Sequence, residues 1–241
     1  MNTETANMND SSIVSELLKN IKPFKLRCSG IGQVMGVKGL GKTGETFLNN
    51  WIVEQIYNRR KHFYSKYTEK GTRMEEKSIE YLSQQLNLPC YKNKEFFEDD
   101  DLQGTPDIIL DEQDLIIDNK CSWDCFTFPF YAKEIPSKDY EYQLQGYMAL
   151  TGKKKAMLAY TLMDADSELI KAEAKKLSWE EGYRGLVEKE LYDRVKSDMT
   201  YSNLPDHLRI KTFEIERNES IISSIRERVK VCKEYIKSIT E

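Results

Sequence analysis

The stretch GTPDIILDEQDLIIDNK, residues Gly104 to Lys120, decides how this sequence is interpreted. It holds two short runs of isoleucine and leucine on either side of the polar loop DEQD, which is the pattern of a β-hairpin. In this interpretation Leu110 and Leu115 close the loop. Pairing that continues outward along both strands then places Asp107 directly opposite Asp118. Opposed like charges destabilise a strand pair, so these two carboxylates favour a cation between them.

The second strand of the hairpin also carries a lysine. Because side chains alternate along a strand, Ile116, Asp118 and Lys120 share one face. The other face carries Asn119 and its neighbours. An ammonium group therefore lies beside the two acids. The competing interpretation is an edge hairpin whose charges are solvated and whose Asp and Lys form an ordinary surface ion pair.

A third acid is predicted from the helical sequence before the hairpin. Glu75, Ile79, Leu82 and Leu86 follow helical spacing and form one face, whereas Glu76 does not lie on it. An acid on a core-facing stripe is costly unless it is paired or bound to a metal, so Glu75 is a candidate ligand. The alternative is a helix-end acid whose stem lies along the edge of the core.

These residue types favour a hard divalent cation. Carboxylates without histidine or cysteine partners suit Mg²⁺, with Mn²⁺ as a substitute. The chain has only two histidines, His62 and His207, which disfavours a mechanism that needs a histidine base together with histidine metal ligands. Phosphodiester cleavage is the natural use of such a site, with Lys120 orienting or helping to deprotonate a water molecule and stabilising the developing charge.

Composition excludes several classes of protein. The chain has 241 residues, 39% of them hydrophobic and 32% charged, which is typical of one globular domain. A net charge of −4 argues against a protein coated in positive charge. The sequence lacks a long apolar run and a secretory signal, so a cytoplasmic location is expected. Five scattered cysteines predict neither disulfides nor a zinc site.

The order of predicted elements indicates an α/β (α+β) fold with a central mixed sheet flanked by helices. A polar N-terminal extension over residues 1–23, which includes a short helix over 11–21, precedes a single domain over 24–241. Within that domain the patterns predict helices over residues 45–63, 69–87, 137–152, 168–176, 178–197 and 218–239, and strands over 90–98, 104–110, 114–120, 155–163 and 208–216.

At the hairpin the sequence resembles the PD-(D/E)xK nuclease superfamily. Pro106 and Asp107 match its PD, and the segment DNK matches its acid-x-Lys triplet. Within that superfamily the sequence is most similar to the phage lambda exonuclease family, the YqaJ-like viral recombinases. The further matches, spread over residues 24 to 165, are the segment CSGIGQVM, Lys70 and Gly71 ahead of Glu75, the strand GTPD, the segment DNKCS, and Tyr140 with Gln143.

The resemblance implies a restriction-endonuclease-like core and a set of catalytic residues. Glu75, Asp107 and Asp118 are the implied metal ligands, joined by the backbone carbonyl of Asn119. Lys120 is the implied catalytic lysine. The sequence departs from the family pattern at two of these positions. Asn119 stands where an apolar residue is usual, so it must face something polar or lie near the sheet edge, and Asp118 replaces the more frequent Glu.

The resemblance also implies residues that contact the substrate. Gln143 and Tyr147 form the Q-x-x-x-Y pattern of RecB-like nucleases on one helical face, where Gln143 has a catalytic role in positioning the lysine or the DNA strand. Core packing is the alternative role of Tyr147. Ser29 and Arg27 are further implied contacts. Arg27 and Arg59 are the two candidates for an arginine that receives a 5′ phosphate.

The function implied by the resemblance is a Mg²⁺-dependent 5′–3′ exonuclease that degrades double-stranded DNA in phage-type recombination. A ring-shaped homotrimer and a single-strand annealing protein are the implied partners besides DNA. Three alternatives stay open: an endonuclease of the same superfamily or a RecB-like nuclease, action on RNA, and a catalytically inactive DNA-binding module.

An alternative of another class comes from the stretch GVKGLGKT, Gly36 to Thr43, which matches the phosphate-binding loop of P-loop NTPases. Such enzymes need a buried apolar strand before the loop, and the preceding residues RCSGIGQVM contain no aliphatic run. We therefore expect a loop that leads into a helix capped near Thr43 or Glu45. Lys38 and Lys42 are its candidates for contact with DNA phosphates.

Overall fold

The computed structural model describes residues 21–61, 65–182 and 185–240. Most of the predicted extension over residues 1–23, including almost all of its helix over 11–21, lies outside these ranges. In chain order the elements are β1 (Leu26–Arg27), α1 (Ile31–Val34), α2 (Gly41–Tyr57), α3 (Lys66–Leu86), β2 (Phe97–Glu98), β3 (Leu102–Gly104), β4 (Ile108–Leu110), β5 (Leu115–Cys121), α4 (Lys138–Thr151), β6 (Lys155–Thr161), α5 (Ser167–Glu180), α6 (Lys189–Asp198), β7 (Ile210–Glu216) and α7 (Glu219–Thr240).

The strands form two sheets, and the larger one is mixed as predicted. Its order is β4-β5-β6-β7, with β5 and β6 parallel and the two outer pairs antiparallel. The smaller sheet has the order β1-β3-β2. The hairpin register is confirmed, because Leu110 pairs with Leu115 and Ile108 pairs with Ile117. Asp107 therefore comes immediately before Ile108, the first paired residue of β4, at the level of Asp118.

Alternation along β5 divides the apolar core between the two faces of the larger sheet. Ile116 packs with residues of α4 and α7, such as Leu144 and Val229, in one buried cluster. Ile117 packs with Ile79 of α3 in a second buried cluster. The sheet is therefore a layer between α3 on one side and α4 with α7 on the other. The predicted α/β class with a central mixed sheet is confirmed.

Several helix boundaries differ from the predicted ones. The helices predicted over 168–176 and 178–197 are Ser167–Glu180 and Lys189–Asp198. Local backbone chemistry explains the changes at α2 and α3. Helix α2 ends at Tyr57 because Asn58 adopts a left-handed conformation with φ of 46°, so the basic residues that follow leave the helix. Helix α3 begins at Lys66, three residues before its predicted start, because the Ser65 side chain accepts a hydrogen bond from the backbone N–H of Thr68 and caps the helix.

Two predicted strands are also shorter than expected. Only Phe97–Glu98 of the strand predicted over 90–98 pairs in a sheet. The strand predicted over 104–110 is split into the end of β3 and β4, with Pro106 between them, and a proline cannot donate a ladder hydrogen bond. The interruption places Asp107 at the start of β4 rather than inside a continuous strand.

The stretch Gly36 to Thr43 does not follow a strand. The short helix α1 precedes it, and α2 begins at Gly41 with Leu40 in the capping position, so the predicted cap at Thr43 or Glu45 is wrong. Gly39 and Gly41 both have positive φ, and the resulting turn is anchored where Arg228 donates from Nη2 to the Gly36 carbonyl over 2.9 Å. None of the helices in the described ranges is both long enough and apolar enough to span a membrane.

Candidate active site

The two aspartates of the hairpin lie where β4 and β5 stop pairing. The backbone N–H of Asn119 donates to Asp107 Oδ2 over 2.8 Å, which joins the first strand to the second beside Asp118. Burial, and next the negative charge of Asp118, raise the pKa of Asp107 to about 7. Within the described ranges no ammonium or guanidinium group forms an ion pair with Asp107. The pair therefore carries a charge that a bound cation would relieve.

Lys120 lies beside Asp118 on the same face of β5. Its Nζ is 2.7 Å from Asp118 Oδ2 and 5.3 Å from the centre of the Tyr140 ring. Burial alone would lower the pKa of Lys120, but the adjacent Asp118 carboxylate outweighs burial and the pKa is raised. The lysine is therefore an ammonium at neutral pH, which makes it a hydrogen-bond donor and a positive charge rather than a base.

Gln143 on α4 orients the second aspartate. Its Nε2 donates to Asp118 Oδ1 over 2.8 Å and to the Tyr147 hydroxyl over 3.2 Å. The predicted partner of Gln143 was Lys120 or DNA, whereas in the structure it bonds the carboxylate that pairs with Lys120. Gln143 is 7% exposed, so its contact with the site runs through Asp118.

Tyr147 belongs to the hydrophobic core and not to the surface of the site. It is 6% exposed, and burial raises the pKa of its hydroxyl. A Cβ at Gly104 would come within 2.7 Å of the Tyr147 ring, so the glycine of GTPD allows the strand and the tyrosine to approach. The structure therefore agrees with the alternative role of Tyr147 in core packing, where its hydroxyl accepts from Gln143, and contact with substrate stays a prediction.

Asn119 points to the opposite side of the sheet, toward α3. Its side chain exchanges hydrogen bonds of 2.9 and 3.0 Å with Ser78 Oγ, and that hydroxyl lies 2.5 Å from the Thr161 hydroxyl. This polar cluster satisfies the residue that departs from the apolar position of the family pattern. It ties β5 to the helix that carries Glu75, one turn before Ser78.

Glu75 reaches the site from α3, and a lysine that the sequence patterns did not reveal pairs with it. Lys92 Nζ donates to Glu75 Oε2 in an ion pair whose members are partly exposed. The neighbouring Asn93 donates from its backbone N–H to the Asp107 carbonyl over 2.7 Å and from Nδ2 to the Pro106 carbonyl over 3.0 Å. These bonds hold the segment of Lys92 against the PD motif.

The KG motif before Glu75 has a structural role. Lys70 is fully buried, and its Nζ donates to the Trp123 carbonyl over 2.8 Å, immediately beyond β5. Burial lowers the pKa of Lys70. The bond fixes α3 against the end of β5, so Lys70 positions the elements of the site without entering it.

The donor groups fit a hard divalent cation, although they are not gathered as a complete ligand set. Asp118 Oδ2 is buried and accepts no well-directed hydrogen bond from the described residues, apart from its close approach to the Lys120 ammonium. Across residues 21–61, 65–182 and 185–240, no three acidic, histidine or cysteine side chains lie close enough together to hold one metal ion. Asp107 and Asp118 fit such a cation, and Glu75 would have to leave Lys92 to join them.

A cleft of about 940 Å³ opens beside the smaller sheet and brings the predicted phosphate contacts together. Arg27 and Ser29 line it, and burial, followed by the charge of Arg60, lowers the pKa of Arg27. Arg60 lines the cleft where the sequence suggested Arg59, because α2 ends at Tyr57. Among the described residues, Lys42 of the glycine-rich stretch also lines the cleft, together with Lys61, Phe47 and Trp51.

Comparisons with known proteins agree with this fold. The chain is similar to the crystal structure of a phage related exonuclease from Haemophilus somnus 129PT, with a TM-score of 0.75 and 26% identity over 90% of this chain and 96% of that one. An alkaline exonuclease from Laribacter hongkongensis has the same fold at 14% identity, with a TM-score of 0.62 over 95% of this chain and 94% of that one; it has also been solved in complex with dAMP. No protein-family model and no curated protein matches the chain.

Proposed function

We propose that this chain is a Mg²⁺-dependent exonuclease of the phage lambda exonuclease family of PD-(D/E)xK nucleases, and that it hydrolyses the phosphodiester bonds of duplex DNA. The observation that carries the proposal is the cluster of Asp107, Asp118 and Lys120 at the end of the hairpin. The fold of the chain is similar to that of a phage related exonuclease. The arrangement of two acids beside an ammonium suits attack on a phosphate.

The chain supplies ligands and a positive charge. Asp107, Asp118, the carbonyl of Asn119 and a released Glu75 would hold Mg²⁺, with Mn²⁺ as a substitute. When bound, the metal would lower the pKa of a water molecule and neutralise charge on the phosphate. Lys120 donates hydrogen bonds to that water or to a phosphate oxygen. The water oxygen bonds to phosphorus, the bond to the leaving oxygen breaks, and a proton passes to the leaving oxygen.

Support for 5′–3′ polarity comes from the cleft lined by Arg27, Ser29 and Arg60. A terminal phosphate carries two ionisable oxygens and suits a pocket with several cationic donors. Gln103, another lining residue, lies on the segment that leads into Asp107, so the cleft and the acids share one stretch of chain. A 5′ phosphate held in the cleft would set the position of the bond to be cleaved.

The experiment that tests the proposal compares three DNA substrates in the presence of Mg²⁺ and of EDTA. We expect release of nucleotides from linear duplex with 5′-phosphorylated ends, slower release from 5′-hydroxyl ends, and no cleavage of a closed circular duplex. Cleavage of the circle would instead identify an endonuclease. Equal degradation in EDTA would contradict metal dependence, and degradation of duplex RNA at the same rate would contradict the choice of DNA.

Two assemblies follow from the family and are part of the proposal. A ring-shaped homotrimer would enclose a duplex and keep it on the enzyme, and a single-strand annealing protein would receive the strand that is left. Light scattering on the full chain measures the first, with a mass three times that of the 28.2 kDa protomer as the expected value. Dissociation to a monomer at micromolar concentration would contradict it.

A further inference from the structure

Lys92 lies among the acids of the active site. Its ammonium pairs with Glu75, and the carboxylates of Glu76 and Asp107 are the other charges that act on it. Among the described residues Glu75 has no second ion-pair partner. The site thus holds two lysine–carboxylate pairs, Lys92 with Glu75 and Lys120 with Asp118, and the charge of Asp107 acts on both lysines.

The backbone at Lys92 is fixed while its ammonium is free to move. The two hydrogen bonds of Asn93 to the carbonyls of Pro106 and Asp107 hold the adjoining backbone beside the PD motif. The Lys92 side chain is 41% exposed, and its flexible stem ends in a compact charge with three rotatable donors. The ammonium can therefore leave Glu75 without any change in the fold.

The Glu75 carboxylate cannot bind a metal ion and the Lys92 ammonium at the same time without weakening each interaction. A metal ion that uses Glu75 competes with an ammonium already bonded to Oε2 of that side chain. Once displaced, the ammonium stays within reach of the site because its backbone is anchored there. The nearest negative charge that binding of substrate adds is a phosphate of the DNA strand.

We propose that Lys92 is a tethered counter-ion of the nuclease centre. It occupies Glu75 in the metal-free enzyme and transfers to a DNA phosphate when a divalent cation takes that carboxylate. The inference rests on the proposed function, because it takes Glu75 to be a metal ligand. It adds a second lysine with a role that Lys120, held by a buried aspartate, does not have.

The test is Lys92→Met in the full chain, with two measurements whose expected changes have opposite signs. In calorimetric titration with Mn²⁺ alone, without DNA, we expect affinity to rise about two- to five-fold, which corresponds to the loss of one partly exposed ion pair. With linear duplex, we expect KM to rise several-fold and the slope of log KM against log salt to fall by about one.

Two further variants make the result specific. Lys92→Arg keeps the positive charge, so we expect Mn²⁺ affinity and the salt slope close to those of the unmodified protein. Lys171→Met breaks another exposed lysine–glutamate pair, that with Glu168 on α5, and should change neither measurement. Thermal unfolding of all three variants verifies that the fold is retained.

The outcomes separate this inference from the proposed function. Unchanged Mn²⁺ affinity and KM in Lys92→Met would overturn the role of Lys92 while the nuclease activity stands. Weaker binding of both Mn²⁺ and DNA would overturn it as well, because a residue that only supports the site weakens both. If the unmodified protein shows no Mg²⁺-dependent cleavage, the proposed function itself fails.

Discussion

The two sides of the active site are held in different ways. On the β5 side, Asp118 is 3% exposed and is contacted by Gln143, Lys120 and the buried helix α4. On the α3 side, Glu75 is 26% exposed and is held by one ion pair with Lys92, which is 41% exposed. The first side has a single arrangement of its charges, whereas the second can exchange one cation for another.

This difference assigns separate tasks to the two sides. Preorganised charges at the reacting atoms accelerate a reaction because no reorganisation is needed when charge develops. The β5 side has that property, so changes there should reduce the rate of cleavage. The α3 side has an exchangeable partner, so changes there should alter metal and DNA affinity.

The largest expected effect is that of Lys120→Ala on the rate. Loss of the ammonium beside Asp118 should lower kcat by about 10²- to 10⁴-fold, the range for removal of one positioned donor or proton-transfer group. The metal-free variant should also be less stable, because the nearly buried Asp118 carboxylate loses its counter-charge, so circular dichroism verifies that it is folded under the assay conditions. Single-turnover cleavage of end-labelled duplex measures the rate. Retention of the full rate by a folded variant would show that the site is wrongly assigned.

Gln143→Leu should have the next largest effect, because the amide orients Asp118. Removal of a residue that orients a metal ligand lowers activity by roughly 10- to 100-fold. Gln145→Leu is the matched control, since Gln145 is also buried on α4 but donates to the Glu216 carbonyl, away from the site. We expect both variants to lose stability and only Gln143→Leu to lose kcat. A similar fall in kcat for both would contradict the distinction.

Asn119→Leu tests the connection between the two sides. It restores an apolar residue but breaks the bonds to Ser78, so unfolding free energy should fall by about 1–2 kcal/mol. Mn²⁺ affinity should fall through displacement of α3, while the backbone groups of residue 119 remain. Urea unfolding and calorimetry measure the two effects. Adding Ser78→Ala should recover part of the stability, and a further loss of 1 kcal/mol or more would contradict the coupling.

Asp107 should make the metal-free protein less stable at high pH. Its pKa of about 7 in the folded protein lies above the ordinary aspartate value of 3.8, so the folded state binds the proton more tightly than the unfolded state. Stability should therefore fall as pH rises from about 4 to 7 and level off above that. In EDTA, Asp107→Asn should be more stable than the unmodified protein at pH 8, by on the order of 1 kcal/mol.

At pH 4 the advantage of Asp107→Asn should disappear, because Asp107 is then protonated in the folded protein too. Urea unfolding of both proteins at the two pH values measures this. An equal difference at pH 4 and pH 8 would mean that the effect of the substitution does not come from the charge.

Local patterns predicted the β5 side of the site. Strand alternation and loop closure were enough to place Asp107 level with Asp118 and Lys120 on their face, because register follows from neighbours in the sequence. The polar surroundings expected for Asn119 are also observed. The assignment of these residues as metal ligands and as a catalytic lysine stays a prediction.

The α3 side depends on contacts that no local pattern contains. Lys92 lies in a segment predicted as strand, and its bond to Glu75 joins residues from separate elements. The choice of Arg60 over Arg59 in the cleft follows from the left-handed Asn58, a backbone detail that periodicity does not show. Likewise, burial of Tyr147 depends on packing against Gly104 from another strand.

The most direct test of the central claim compares the unmodified protein with Asp118→Asn. Both are treated with EDTA, Mg²⁺ is added back, and the rate of nucleotide release from linear duplex is measured. The proposed site predicts rapid, metal-dependent degradation of linear duplex by the unmodified protein. It predicts at least a roughly 100-fold slower rate for a folded Asp118→Asn, whose amide is a poorer metal ligand and a weaker partner for Lys120. Equal rates for the two proteins would contradict the assignment of the active site to this hairpin.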